Sequence, residues 1–227
     1  MIIDKINKVI FLEIPKTGTS FFRHHLRDYI SDDFIVSQDT MRHAGIRYTR
    51  DYFDLDVNDY KIFLNTRHPE DWLSSEFSEY TTNHLPYYLK GYGTYETKKH
   101  IGYRHSFFKH KDPYDFNVHL DMLLTDDNFK IPGQQVTITG SIYKPFLLID
   151  QELKHVNVLK YEDFQNTVKT VFNAMDKPVP DYTKVVHKTQ TKKQRPNRKN
   201  RSRINRIFDS DFKEFGYQKR TVMALND

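Results

Sequence analysis

Three times along this chain a short apolar run gives way to a few polar residues and then to an amphipathic helical pattern, and that recurrence limits the fold more than any other feature. Lys8 to Ile14 is a β-rich run closed by Pro15, and after Lys16-Thr17-Gly18 the residues Phe22, Leu26 and Tyr29 or Ile30 fall on one helical face. Lys61 to Thr66 leads through Arg67-His68-Pro69 into Leu73, Phe77 and Tyr80, spaced i, i+4, i+7, with Pro69 suited to a first helical turn. His155 to Lys160 leads through Tyr161-Glu162-Asp163 into Phe164, Val168, Val171 or Phe172, and Met175. Strands alternating with helices predict an α/β fold, three-layer α/β/α with a mostly parallel central sheet. A length of 227 residues with 17 Phe and 15 Tyr fits a single domain with a well-filled core.

Between Thr81 and Gln135 the rhythm is lost, and the segment is crowded with tyrosines and histidines, among them Tyr87, Tyr88, Tyr92, His84 and His100. We read it as a variable insertion or lid at about 81–135. Helical spacing returns around Ser141 to Leu153, and Ile204, Ile207 or Phe208, Phe212 and Phe215 would line a closing helix.

Charge is unevenly distributed. The run from Lys184 to Arg206 holds ten of the 35 Lys and Arg and no Asp or Glu, so 25 basic residues face 30 acidic ones elsewhere. That run reads either as a solvated basic loop at about 184–206 or as a clamp for phosphates and polyanions. The absence of cysteine excludes disulfides, thiolate metal sites and cysteine nucleophiles, and it suits a cytoplasmic setting. The apolar run at the amino terminus, around Val9 to Leu12, is far too short to cross a bilayer, so no membrane partner is expected.

The first loop carries the chemistry. A strand followed by Pro15-Lys16-Thr17-Gly18-Thr19-Ser20 and a helix offers backbone N–H groups, a glycine, three hydroxyls and one cation, a set suited to an anion. It differs from the nucleotide-triphosphate loop, in which the lysine follows a second glycine; here the lysine precedes the only glycine. An ordinary strand-to-helix turn with polar caps uses the same residue types. A second element is independent of the first: Arg67 ends a strand and Ser75 lies eight positions later on the following helix, with Ser74 less well placed. A guanidinium fork suits a phosphate dianion.

Together these two elements resemble the PAPS-dependent sulfotransferases, enzymes that use 3′-phosphoadenosine 5′-phosphosulfate (PAPS) as co-substrate. The resemblance is closest in style to the carbohydrate 2-O-sulfotransferase branch. It implies the P-loop-like sulfotransferase fold, Lys16 at the oxygen bridging phosphate and sulfate, Pro15 and Thr17 to Ser20 around the 5′-phosphate, and Arg67 with Ser75 at the 3′-phosphate. Val158 to Phe164 is similar to the family's late strand and Y-E-D turn, and Asp211-Phe212-x-x-Phe215-Gly216-Tyr217 to its closing helix. The general base is implied to lie some tens of residues past the loop lysine, where Met41-Arg42-His43-Ala44 places His43, with Asp39 as a rival. The basic run falls where such enzymes close over the 3′-phosphate, which makes Lys188, Lys192, Lys193 and Arg195 candidates, Lys192 and Lys193 foremost. No metal is implied.

The expected activity is therefore sulfuryl transfer from PAPS to a hydroxyl or amine of a small-molecule or glycan acceptor. Two other readings use parts of the same sequence. A nucleotide-dependent phosphotransferase would need a variant phosphate loop and a magnesium-binding carboxylate that the pattern does not supply. A nucleic-acid-binding module built on the basic run and the aromatic lid is opposed by the acidic remainder of the chain. A PAPS-binding relative without activity is a further reading. His24 and His25, adjacent on a helix, do not share a face and read as structural.

Overall fold

The computed structural model describes residues 1–38, 41–86, 111–124, 140–147, 153, 155–183 and 193–221. Contacts divide the chain into two compact units, the first comprising the described residues up to Arg67 and those from Tyr143 to 183, the second comprising 68–86, 111–124, 140–142 and 193–221.

The first unit is an open five-stranded sheet. Its strands are β1 (Ile2–Asp4), β2 (Val9–Leu12), β3 (Phe34–Val36), β4 (Lys61–Thr66) and β5 (Val156–Lys160), in the order β3-β1-β2-β4-β5. β2, β4 and β5 pair in parallel, and β1 runs antiparallel to both β2 and β3, so four of the five strands point the same way. The mixed α/β class with a mostly parallel sheet is thus as the apolar runs predict. β1 and β3 escape that reading because three-residue strands carry no measurable period. Asp4 builds the turn after β1 by accepting from the backbone N–H and the side-chain amide of Asn7, at 3.0 and 2.9 Å.

Helices α1 (Thr19–Leu26) and α6 (Phe164–Ala174) cover one face of this sheet; α2 (Ile46–Phe53) and α5 (Lys144–Leu147) also belong to the unit. Phe21, Phe22 and Leu26 of α1 meet Val168, Val171 and Phe172 of α6, and Met175 just beyond it, over Ile2, Val9, Phe11 and Phe63 of the strands. Residues of the opposite face, Ile3, Ile10, Leu12, Ile62 and Leu64, are buried as well. Burial on both faces is what runs without polar alternation imply. The expected α1 stripe is corrected at its end. Tyr29 and Ile30 are exposed, because α1 stops at Leu26 and tightens into a 3₁₀ turn over Arg27–Tyr29 that leads the chain back into β3.

The second unit is helical: α3 (Pro69–Glu79), α4 (Phe116–Leu123), α7 (Arg198–Ile207) and α8 (Asp209–Glu214). Pro69 opens α3 as anticipated, and Leu73, Phe77 and Tyr80 are buried. The anticipated closing helix is two helices that break at Phe208, yet Ile204, Phe208, Phe212 and Phe215 keep one buried face. Gly216, at φ 65°, ends it, and the Tyr217 N–H reaches back to the Phe212 carbonyl at 2.9 Å.

The basic run is likewise corrected, since from Arg198 onward it is helix α7 rather than loop. Asn197 caps it by accepting from the Asn200 N–H at 2.9 Å. Arg201 pairs with Glu70 of α3 at 3.0 Å, and Lys199 and Arg203 pair with Asp121 of α4 at 3.2 and 2.8 Å. The acids missing from the run come from neighbouring helices. Of the expected lid, residues 87–110 and 125–135 lie outside the described residues, and Tyr80–His84 form a π-helical turn. No helix among the described residues is long and apolar enough to cross a membrane.

Phe22 is fully buried and its ring meets those of Phe11, Phe21, Phe164 and Phe172 at 4.5 to 6.0 Å. We expect Phe22→Ala to lower stability by about 3–5 kcal/mol in chemical denaturation, and Ile30→Ala, at an exposed position, to change it by less than about 0.5 kcal/mol.

Candidate functional site

The loop between β2 and α1 is built from inside. Thr17 is buried and its hydroxyl donates to the Ile14 carbonyl at 2.8 Å, so that hydroxyl shapes the loop. Lys16, at φ 63°, and Gly18, at φ 82°, both adopt the left-handed conformation. A non-glycine residue there is uncommon and persists only where its surroundings fix it. Gly18 has a further reason to be glycine: a Cβ would come within 2.8 Å of the Phe164 ring and 2.9 Å of the Tyr161 ring. The glycine is required by the aromatic turn behind the loop. Beyond it, no side chain caps α1, and while the Phe21 N–H bonds the Gly18 carbonyl at 3.1 Å, the N–H groups of Thr19 and Ser20 precede any carbonyl of the helix and suit an anion or water.

β4 holds the loop from the side. The Asn65 amide donates to the Thr17 carbonyl at 2.5 Å, and Arg67 Nη1 donates to the Lys16 carbonyl at 3.0 Å. The Arg67 guanidinium lies over the Tyr161 ring, 4.5 Å from its centroid, and its backbone N–H donates to the Tyr143 hydroxyl at 2.8 Å. Arg67 Nε is buried and makes no hydrogen bond among the described residues. The structure therefore brings Lys16, Thr17, Gly18 and Arg67 together at the carboxyl ends of two adjacent parallel strands, where open α/β sheets bind ligands.

The segment after Val36 reaches the same loop. His43 Nδ1 lies 2.5 Å from the Glu13 carbonyl, so Nδ1 carries the proton and Nε2 is left with its lone pair. Burial pushes the His43 pKa down to about 4, opposed by the hydrogen bond to Glu13, so the ring is neutral at pH 7. The Glu13 side chain is itself buried between Arg23, at 2.6 Å, Arg42, at 3.3 Å, and the Met1 amino group, at 2.8 Å. Burial alone would raise its pKa, and the Met1 amino group and Arg23 hold it below the usual carboxylate range. Arg42 also donates to the Ser20 hydroxyl at 2.7 Å and the Thr19 hydroxyl at 3.4 Å.

The remaining expected site residues belong to the second unit or fall outside the described residues. Ser75 is half-buried on α3, in the second unit, and its neighbour Ser74 is occupied as acceptor for the Gln194 N–H at 2.9 Å. Lys193 pairs with Asp71 at 2.7 Å, and Arg220 chelates the same carboxylate at 2.7 and 2.8 Å. Burial would raise the Asp71 pKa, but the hydrogen bonds from Arg220 and Lys193 hold it down to about 2. Asp39, Lys188, Lys192 and Tyr87, Tyr88 and Tyr92 fall outside the described residues. His25 packs its ring on Phe21 at 4.5 Å, while His24 is exposed. Asn65, Tyr161, Glu13 and Arg42 are the residues that sequence reasoning did not assign to the site. The only signal for them was position, since each lies within two residues of one that was assigned or sits in the aromatic turn after β5.

No protein-family model, curated protein or solved structure matches this chain.

Two outcomes follow from the loop's construction. Gly18→Ala should cost more than about 1 kcal/mol of stability, because positive φ and the aromatic contact penalise the same methyl group. His43 has a folded pKa of about 4 against an ordinary 6.5, so the unfolded chain binds the proton more tightly. Stability contributed by neutral His43 is complete above pH 6.5 and drains away as pH falls toward 4. Denaturation midpoints of wild type and His43→Asn, compared across that range, should diverge at pH 7 and converge on acidification.

Proposed function

We propose that this chain is a sulfotransferase that takes a sulfuryl group from PAPS and delivers it to a hydroxyl or amine acceptor. The observation that carries the reading is the strand–loop–helix turn whose backbone is fixed from β4, with Lys16 and the first turn of α1 on it and Arg67 beside it. A buried Arg67 Nε–H without a hydrogen-bond partner among the described residues suits an anionic ligand at that position.

PAPS supplies the sulfuryl group and, as leaving group, a phosphate that stays with the adenosine. Lys16 provides the cation for the negative charge that grows on that phosphate, and the N–H groups at the start of α1 share it. His43 Nε2 takes the proton from the acceptor as the acceptor atom bonds to sulfur. Its Nδ1–H, fixed on the Glu13 carbonyl at 2.5 Å, stabilises the imidazolium that results. A pKa of about 4 makes the free ring a weak base, and a nearby dianion would raise it toward the range useful for proton transfer. Arg67 binds the 3′-phosphate. Sulfuryl transfer of this kind is positioning and charge stabilisation, as in phosphoryl transfer.

The test is calorimetric titration of 3′-phosphoadenosine 5′-phosphate (PAP) into wild type, Lys16→Ala and Arg67→Ala without added metal. Wild type should bind saturably, Arg67→Ala should bind at least about tenfold more weakly, and Lys16→Ala should lose sulfuryl transfer more than PAP affinity. Absence of PAP binding by the folded wild-type chain would overturn the proposal.

A further inference from the structure

We infer that Arg42 is a positioning residue that aims the hydroxyl hydrogens of Ser20 and Thr19 at an anion seated on the β2–α1 loop, an inference that rests on the phosphosulfate reading of that loop. A guanidinium has five donors and no acceptor, so its contacts to Ser20 Oγ at 2.7 Å and Thr19 Oγ1 at 3.4 Å use both hydroxyls as acceptors. Each hydroxyl then has its single hydrogen left to donate.

In a helix a serine hydroxyl ordinarily turns back to the carbonyl three or four residues earlier. For Ser20 those carbonyls belong to Thr17 and Lys16, which already accept from Asn65 and Arg67. With its oxygen accepting from Arg42 at 2.7 Å, the Ser20 hydroxyl can turn its hydrogen to an anion on the loop in place of a second bond to one of these carbonyls. Thr17 is different, since its hydroxyl hydrogen is committed to the Ile14 carbonyl.

Arg42 is itself fixed. Its Nε lies 3.3 Å from Glu13 Oε1, an ion pair without hydrogen-bond geometry, and its backbone carbonyl accepts from the Met1 amino group at 2.7 Å. Glu13 is 1% exposed and anchored by Arg23 through two further contacts at 2.6 and 3.0 Å, so the carboxylate that orients Arg42 does not move with solvent. Arg42 thus acts through the hydroxyls, and its role in the loop is preorganisation of donors.

A double-mutant cycle on PAP binding separates action through Ser20 from direct contact with the ligand. Arg42→Gln and Ser20→Ala should each weaken PAP binding about tenfold, and the double variant by little more than either alone rather than about a hundredfold. Arg42→Lys, which keeps a cationic donor, should recover part of the loss. Additive losses in the double variant, or unchanged affinity in Arg42→Gln, would overturn the inference while PAP binding by wild type keeps the proposed function standing. No binding by wild type removes both. Thermal melts without ligand confirm folding, and if Arg42→Gln does not fold, the cycle of Arg42→Lys with Ser20→Ala decides the question in the same way.

Discussion

The parallel pairing of β2 with β4 is the constraint on which the rest of the site depends. Its register sets Leu12 against Leu64, so whatever follows Leu64 lies beside whatever follows Leu12. Asn65 and Arg67 thereby come alongside the loop and bond the carbonyls of Thr17 and Lys16. A slip of one residue in that pairing would turn Asn65 and Phe63 to the opposite face and take the Asn65 amide away from the Thr17 carbonyl. The register of this pair therefore fixes the site's geometry as well as the fold. It also sustains the left-handed Lys16, whose conformation is costly for a residue with a Cβ.

Electrostatically, the loop turns on Glu13. A carboxylate with a fully buried side chain is costly unless it is paired and hydrogen-bonded, and Glu13 gathers Arg23, Arg42 and the Met1 amino group around it. Its side chain and its main chain do separate things. The carboxylate holds the two arginines, while the carbonyl fixes the tautomer of His43. One residue at the end of β2 thus links α1, the segment after β3 and the loop, which explains why a short turn of polar residues holds a single shape.

Much of this was legible in the sequence where period or residue type carried the signal. β2 is an uninterrupted apolar run, β4 and β5 are β-rich runs that carry one asparagine each, and α3 and α6 keep their apolar faces at the expected residues. Lys16, Gly18 and Arg67 stand at the ends of strands that could be read. What escaped depends on contacts distant in sequence. Asn65 looks like one more strand residue until the parallel register sets it against Thr17, 48 residues away. Arg42 sits 22 residues from Ser20, in a segment with no periodic pattern. The basic run misled in the opposite way, because its charges suggested a loop for anions while Arg201, Lys199 and Arg203 find carboxylates on α3 and α4. Local composition does not show a partner that arrives from another helix.

The aromatic turn after β5 completes the support of the loop. Tyr161 supports the Arg67 guanidinium on its face and, with Phe164, fills the space where a side chain at position 18 would stand. The same ring that orients the cation thus forbids any residue but glycine at the loop's tightest point. Since β5 pairs with β4 in parallel, setting Thr66 against Lys160, Tyr161 is delivered to Arg67 by the same register logic that delivers Arg67 to Lys16. Three consecutive parallel strands each contribute their first residues past the carboxyl end, and the site is the sum of those three ends.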